Sequence, residues 1–145
     1  MGPYGAASLF WSYADGRQEG LDVLAEAIAS TDAELWDAAL GILSHGPHGI
    51  ILANPSWVAN LLETVDTAVL DEAQGALSSA LTMGSRQGTP GKPFPRDVAL
   101  RDRSAEYAKS ARPGSSAAAF WTLMVRQAER AIRQSLERDR LFDDE

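Results

Sequence analysis

The chain has 145 residues, 45% of them hydrophobic and 23% charged, which is the composition of one globular domain. It contains no cysteine, so disulfide scaffolds, thiolate nucleophiles and cysteine-ligated metal sites are excluded. No apolar run approaches the roughly 20 residues of a membrane-spanning helix, and the N-terminal residues lack the pattern of a secretory signal. We therefore expect a cytoplasmic protein without membrane contact, folded as a single helical domain over residues 1–145.

The net charge of −7 is distributed unevenly along the chain. Residues 1–84 contain one basic and eleven acidic residues, a balance of −10, whereas residues 85–145 contain twelve basic and nine acidic residues, a balance of +3. Either the two halves attract each other within one fold, or one half faces a charged partner. A net acidic protein is a poor general binder of nucleic acid, because that affinity depends on neutralising phosphates.

Apolar residues at helical spacing predict six helices and an all-α fold, with the helices at about 17–29, 32–44, 55–65, 67–83, 96–111 and 115–141. Thr31 followed by Glu34 is a capping box that predicts the start of the second helix. Asn54 and Pro55 suit the N-cap and the first position of the third helix. The apolar segment 50–52 is β-like but too short to build a sheet.

The helical stripes also predict which large side chains are buried. Three tryptophans lie on stripes and are expected in the core, namely Trp36, Trp57 and Trp121. The stripe of the second helix includes Leu35, and that of the last helix includes Leu123 and Leu136, so these leucines are expected to be buried as well.

The six helices form three successive pairs that suit antiparallel hairpins, arranged as a helical bundle or a short solenoid. Stacked in this way they resemble HEAT-like α-solenoid hairpins.

Residues 84–95 are rich in glycine and proline and predict a long loop. This loop, with the following Asp-Val-Ala-Leu-Arg-Asp-Arg at 97–103, resembles C-terminal helical regions of large multidomain bacterial proteins of the nucleotide-switch NTPase type. That resemblance implies a role in interaction rather than catalysis.

Two segments are candidate partner-binding sites. The N-terminal arm, residues 1–16, carries an aromatic cluster that either docks on the bundle as a short helix or serves as an apolar anchor for another chain. The loop at 84–95 adds basic and aromatic side chains that face a partner or hold an anion. The candidate partner-binding residues are Phe10, Trp11, Tyr13, Arg86, Lys92, Phe94 and Arg96.

The last helix carries arginines opposite its apolar stripe, and these have two interpretations. Arg126, Arg130 and Arg133 form a candidate nucleic-acid-binding stripe. Alternatively the face is solvated, with Arg133 paired along the helix to Glu129 and Glu137.

No arrangement of residues supports catalysis. His45 and His48 are too few to make a zinc site and have no orienting third group, so we expect solvated turn histidines. The glycine-rich loop fits neither phosphate-binding motif and follows a helix rather than a strand. The sequence therefore predicts a non-enzymatic protein interaction module, with no cofactor or metal, that binds a protein or itself. The alternative is a nucleic-acid-binding accessory protein that uses the basic C-terminal half.

Overall fold

A computed structural model describes residues 10–12, 18–30, 32–46, 48–82 and 92–143 of the chain. Every regular element among these residues is helical, and none of them lies in a strand, so the all-α prediction is confirmed. The contacts divide the chain into two compact units, Met1–Leu81 and Thr82–Glu145. Whether the whole chain acts as the single expected domain stays a prediction.

The six predicted helices are present with boundaries within about two residues of those predicted, and a short helix that was not predicted lies between the second and the third. The first unit contains α1 (Gln18–Ile28), α2 (Ala33–Ser44), α3 (His48–Leu52), α4 (Pro55–Thr64) and α5 (Thr67–Thr82), the last of which reaches the boundary between the units. The second unit contains α6 (Pro95–Ser110) and α7 (Ser116–Asp143). Residues 10–12 are also helical.

Helix α2 begins one residue later than the predicted capping box. Asp32, rather than Thr31, is the N-cap residue, and its carboxylate accepts hydrogen bonds from the backbone N–H groups of Glu34 (3.0 Å) and Leu35 (3.4 Å). Asp32 has the extended backbone conformation of an N-cap residue. A short carboxylate at this position satisfies two of the free N–H groups of the first turn, which is why it determines the start of the helix.

The apolar segment 50–52 forms part of the short helix α3 instead of a β-like stretch. Ile51 and Leu52 are buried, and the backbone N–H of Ala53 donates to the carbonyl of Gly49 at 3.0 Å. Asn54 occupies the N-cap position of α4, as predicted, and Pro55 the first helical position. However, the Asn54 side chain donates to the Ile50 carbonyl (2.7 Å), so it caps the end of α3 and not the start of α4.

Contacts in the core of the first unit connect neighbouring helices. Helix α1 packs against α2, and α3 contacts α4. The Trp57 indole N–H donates to the Leu21 carbonyl (2.9 Å), which ties α4 to α1 and confirms Trp57 as a core residue. The buried apolar residues of the four longer helices are Leu21, Leu24, Ile28, Ala39, Leu40, Leu43, Trp57, Val58, Leu61, Leu62, Val69, Ala73, Ala76, Leu77, Ala80 and Leu81.

The prediction of burial is wrong for Leu35 and only half right for Trp36. Leu35 is 48% exposed, and Trp36 is half-buried. The buried face of α2 is rotated toward Leu40, so Leu35 lies at its edge. The packing of α4 against α5 as a hairpin stays a prediction.

The second unit is an antiparallel pair in which α6 packs along α7. Tyr107, near the end of α6, contacts Trp121, near the start of α7, with ring centroids 4.9 Å apart. Leu100, earlier in α6, lines a cavity with Ala128, later in α7. The buried apolar residues are Leu100, Ala117, Phe120, Trp121, Met124, Ala128 and Ile132, which confirms Trp121 as core.

Two leucines of α7 that were expected to be buried are exposed. Leu123 is 43% exposed and Leu136 is 40% exposed. At 100° per residue, Leu123 and Leu136 fall on either side of the face that carries Met124, Ala128 and Ile132. They therefore border the core without entering it.

Ser104 provides a test of the packing between α6 and α7. Its side chain is fully buried, and among the described residues its hydroxyl has no hydrogen-bond partner. We expect Ser104→Ala to raise the free energy of unfolding by about 1 kcal/mol, because an unsatisfied buried hydroxyl is costly. The matched control is Ser115→Ala, which removes the hydroxyl that accepts from the Ala118 N–H (3.1 Å) and should cost about 1 kcal/mol. Chemical denaturation measures the free energy of unfolding of both variants, which should rise in Ser104→Ala and fall in Ser115→Ala. A loss of stability in Ser104→Ala contradicts the prediction.

Candidate interaction surface

The structure places Trp11 in the core of the first unit. Its side chain is 8% exposed, and its indole N–H donates to the Ile42 carbonyl in α2 at 2.8 Å. Phe10 is half-buried and packs edge-to-face on Trp11, with ring centroids 5.2 Å apart. Of the two alternatives for the aromatic cluster, docking fits Trp11, because a buried indole cannot anchor another chain. Tyr13 lies outside the described residues.

The predicted loop site is only partly described. Arg86 and most of the glycine- and proline-rich segment lie outside the described residues. Lys92 is exposed, whereas Phe94 and Arg96 are half-buried at the start of α6, where Phe94 occupies the N-cap position. Arg96 already has a partner within the chain. The described part of the loop therefore presents one exposed cation, Lys92, beside two side chains that belong to the helix start.

The three arginines of α7 form an exposed basic face. Arg126, Arg130 and Arg133 are all exposed, and at spacings of four and three residues they lie on the side of α7 opposite its buried apolar residues. No ion pair involves them among the side chains that the structure describes, so the expected pairing of Arg133 with Glu129 and Glu137 is not seen. Their charges therefore face solvent.

A shallow apolar groove of about 520 Å³ adjoins this basic face at the start of α7. Small side chains from Ala118 and Ala119 lie along it, and the exposed Leu123 borders it. Arg126 lines the groove and also belongs to the basic face, so the two features are continuous. We call them together the α7 surface, which consists of Ala118, Ala119, Thr122, Leu123, Arg126, Arg130 and Arg133.

No protein family model, curated protein or solved structure matches this chain. The function is therefore inferred from the chain's own surfaces and cavities.

A second cavity, of about 210 Å³, lies between α6 and α7 and is lined by Asp97, Leu100 and Gln127, among others. Asp97 is 2% exposed and has a partner within the chain. It lies in the first turn of α6, where a negative charge is favoured by the helix dipole and the free N–H groups. This placement accounts for the buried carboxylate as part of the helix start.

In the part of the segment 45–48 that the structure describes, the side chains are not arranged to bind a metal ion. His45 is exposed, and its Nδ1 lies 2.9 Å from the Gly41 carbonyl oxygen at the end of α2. The side chain of His48 lies outside the described residues. Among the described residues, no group of three or more histidine, aspartate or glutamate side chains could hold a metal ion. Nor does any described helix combine the length and hydrophobicity needed to cross a bilayer.

Sequence reasoning identified the arginines of the α7 surface but missed its apolar part. Leu123, Arg126 and Arg130 have the spacing i, i+3, i+7, which places them on one side of a helix. That signal was present in the sequence. It was obscured because Leu123 also lies three residues after Phe120, the spacing of the buried stripe.

Proposed function

We propose that the chain is a non-enzymatic interaction module that binds a protein partner through the α7 surface. The observation that carries this proposal is the continuity of an apolar groove with three exposed arginines on one helix. In this proposal the packed pairs α1–α2 and α6–α7 are HEAT-like hairpins, the α6–α7 pair carries the surface, and the module works in the cytoplasm.

The chemistry of the surface indicates what the partner presents. A groove with small side chains along it admits one apolar side chain or the ridge of a helix, the mode in which amphipathic helices bind grooves. Arginine is a preferred residue at such interfaces, because its fork pairs with carboxylates while its stem packs on apolar groups. The partner segment therefore combines an apolar residue for the groove with acidic residues for the basic face.

Neutralising the basic face is expected to weaken partner capture. The variant replaces all three arginines by glutamine: Arg126→Gln, Arg130→Gln and Arg133→Gln. Each exposed ion pair contributes about 0.2–1 kcal/mol, so losing three weakens binding about threefold to a hundredfold. Capture is measured with a photo-crosslinking amino acid at position 123, in native lysate treated with nuclease, and the crosslinked partner is identified by mass spectrometry.

The matched control carries the same change of charge on α6 and the segment that follows it. It replaces the exposed residues Arg103, Lys109 and Arg112 by glutamine. We expect the control to capture as much partner as the unchanged chain. Equal loss in both variants would mean that overall charge, and not the α7 surface, determines binding.

The second candidate function is nucleic-acid binding by the same arginines, joined by Arg86, Lys92 and Arg96. The observation in its favour is that Arg126, Arg130 and Arg133 have no ion pair among the described side chains. The net charge of −7 opposes it. Capture that disappears on nuclease treatment, together with an affinity for nucleic acid that falls steeply with salt, favours this candidate over the first.

A further inference from the structure

Helix α1 presents an acidic face to solvent. Glu19, Asp22 and Glu26 are exposed on one side of the helix, opposite the buried Leu21, Leu24 and Ile28, and Asp22 also has a partner within its own chain. Val23 lies beside these carboxylates and is 57% exposed. Among the described helices of the first unit, α1 is the one with three exposed carboxylates on a single face. We call Glu19, Asp22, Val23 and Glu26 the α1 face.

The carboxylates of the α1 face match the arginines of the α7 surface in spacing when the helices run antiparallel. The carboxylates are separated by three and then four residues, and the arginines, read backwards from Arg133, by three and then four. An antiparallel pair thus brings Glu19 opposite Arg133, Asp22 opposite Arg130, and Glu26 opposite Arg126. Each set spans seven residues, or about 10.5 Å of helix.

A parallel pair does not match in this way. The middle carboxylate then falls one residue from the middle arginine, an offset of about 1.5 Å along the axis and about 100° around it. The match is therefore directional. In the antiparallel arrangement Val23 lies next to Arg130, whose aliphatic stem can cover exposed apolar surface.

We infer that the α7 surface binds the α1 face of a second copy of this chain. The inference rests on the proposed function, because it names the partner of the same surface. The charge balance of −10 in residues 1–84 and +3 in residues 85–145 favours contacts between unlike halves and opposes contacts between like halves.

Such an interface is heterologous, since two different surfaces meet. Each bound pair of chains keeps one free α1 face and one free α7 surface, so association continues to larger assemblies unless a ring closes. Because the paired charges are exposed, salt weakens the association strongly.

Mixing two one-sided variants tests this assembly by sedimentation velocity at low salt. The α7 variant carries Arg126→Gln, Arg130→Gln and Arg133→Gln. The α1 variant carries Glu19→Gln, Asp22→Asn and Glu26→Gln. The unchanged chain should form assemblies that grow with concentration and dissociate at high salt. Each variant alone should associate about threefold to a hundredfold more weakly, because its three surface ion pairs are lost.

The mixture gives the distinguishing result. The α1 variant retains an intact α7 surface, and the α7 variant retains an intact α1 face, so together they should form a 1:1 complex that grows no further. The controls neutralise exposed charges elsewhere and should associate like the unchanged chain. One control replaces Arg103, Lys109 and Arg112, and the other Glu63, Asp71 and Glu72.

The possible failures separate this inference from the proposed function. A chain that is monomeric at low salt, or a mixture that forms no 1:1 complex, overturns the second copy as partner. If position 123 then crosslinks a different protein in nuclease-treated lysate, the proposed function stands, with that protein and not a second copy as the partner. If position 123 crosslinks neither a second copy nor another protein, both fail.

Discussion

Replacing Trp121 with alanine is expected to lower the free energy of unfolding of the second unit by about 3–5 kcal/mol. Trp121 is 1% exposed and contacts the rings of Tyr107 and Phe120, at centroid distances of 4.9 and 5.0 Å. The change leaves a cavity where α6 and α7 meet, and it removes both ring contacts. A loss of this size is a large fraction of the roughly 5–15 kcal/mol that stabilises a typical domain.

The measurement should report on the second unit by itself. Hydrogen exchange followed by mass spectrometry compares the protection of α6 and α7 with that of the first unit. We expect protection to fall in α6 and α7 while α1 and α4 keep theirs. The matched control on the same helix is Leu123→Ala, whose exposed side chain should cost less than about 1 kcal/mol. Equal effects of the two substitutions would contradict the assignment of Trp121 to the core.

Helix boundaries could be predicted from the sequence because they depend on residues next to one another. Proline cannot occupy a helix interior but suits the first helical position, and Pro55 begins α4 as predicted. Pro95 was expected in the loop, and it begins α6 one residue earlier than predicted. Where two neighbouring residues could cap the same helix, the prediction chose Thr31 and the structure uses Asp32. The segment 50–52 was misjudged for another reason. In so short a run, apolar residues have no periodicity that distinguishes a helix from a strand.

Burial at the edges of the helices depends on the neighbouring elements, which the sequence of one helix does not contain. Leu123 and Leu136 have the spacing of a buried stripe, yet both remain exposed at its margins. The exposed position of the arginines could be predicted, since they lie opposite the centre of that stripe. The groove beside them required the packed structure, because its shape depends on how the loop at Gly114 and Ser115 meets α7.

Trp11 shows the same dependence on long-range contacts. Its position on a short segment ahead of the first predicted helix allowed two interpretations, docking or anchoring. A hydrogen bond to a residue 31 positions away, the Ile42 carbonyl, decides its placement. We therefore assign the proposed binding surface to α7 instead of the N-terminal aromatic residues, because an exposed leucine there adjoins three exposed arginines.

Replacing Trp11 with alanine is expected to destabilise the first unit by about 3–5 kcal/mol, because it truncates a buried indole and removes its hydrogen bond to Ile42. Gly46 tests the same contact from the other side. A Cβ added at Gly46 would lie 2.8 Å from Cζ2 of Trp11 and 3.0 Å from the Leu43 carbonyl oxygen. We expect Gly46→Ala to lower the free energy of unfolding by about 1–3 kcal/mol, because the indole must shift.

A double-mutant cycle of these two substitutions isolates the contact between Trp11 and Gly46. When Trp11 is already alanine, Gly46→Ala should cost less, since only the approach to the Leu43 carbonyl remains. The matched control is Gly41→Ala within α2, where an added Cβ meets nothing within 4 Å and should stabilise the helix by about 0.5–1 kcal/mol. If Trp11→Ala instead leaves stability unchanged and weakens partner capture, the indole is an anchor, and the binding surface extends to the N-terminal arm.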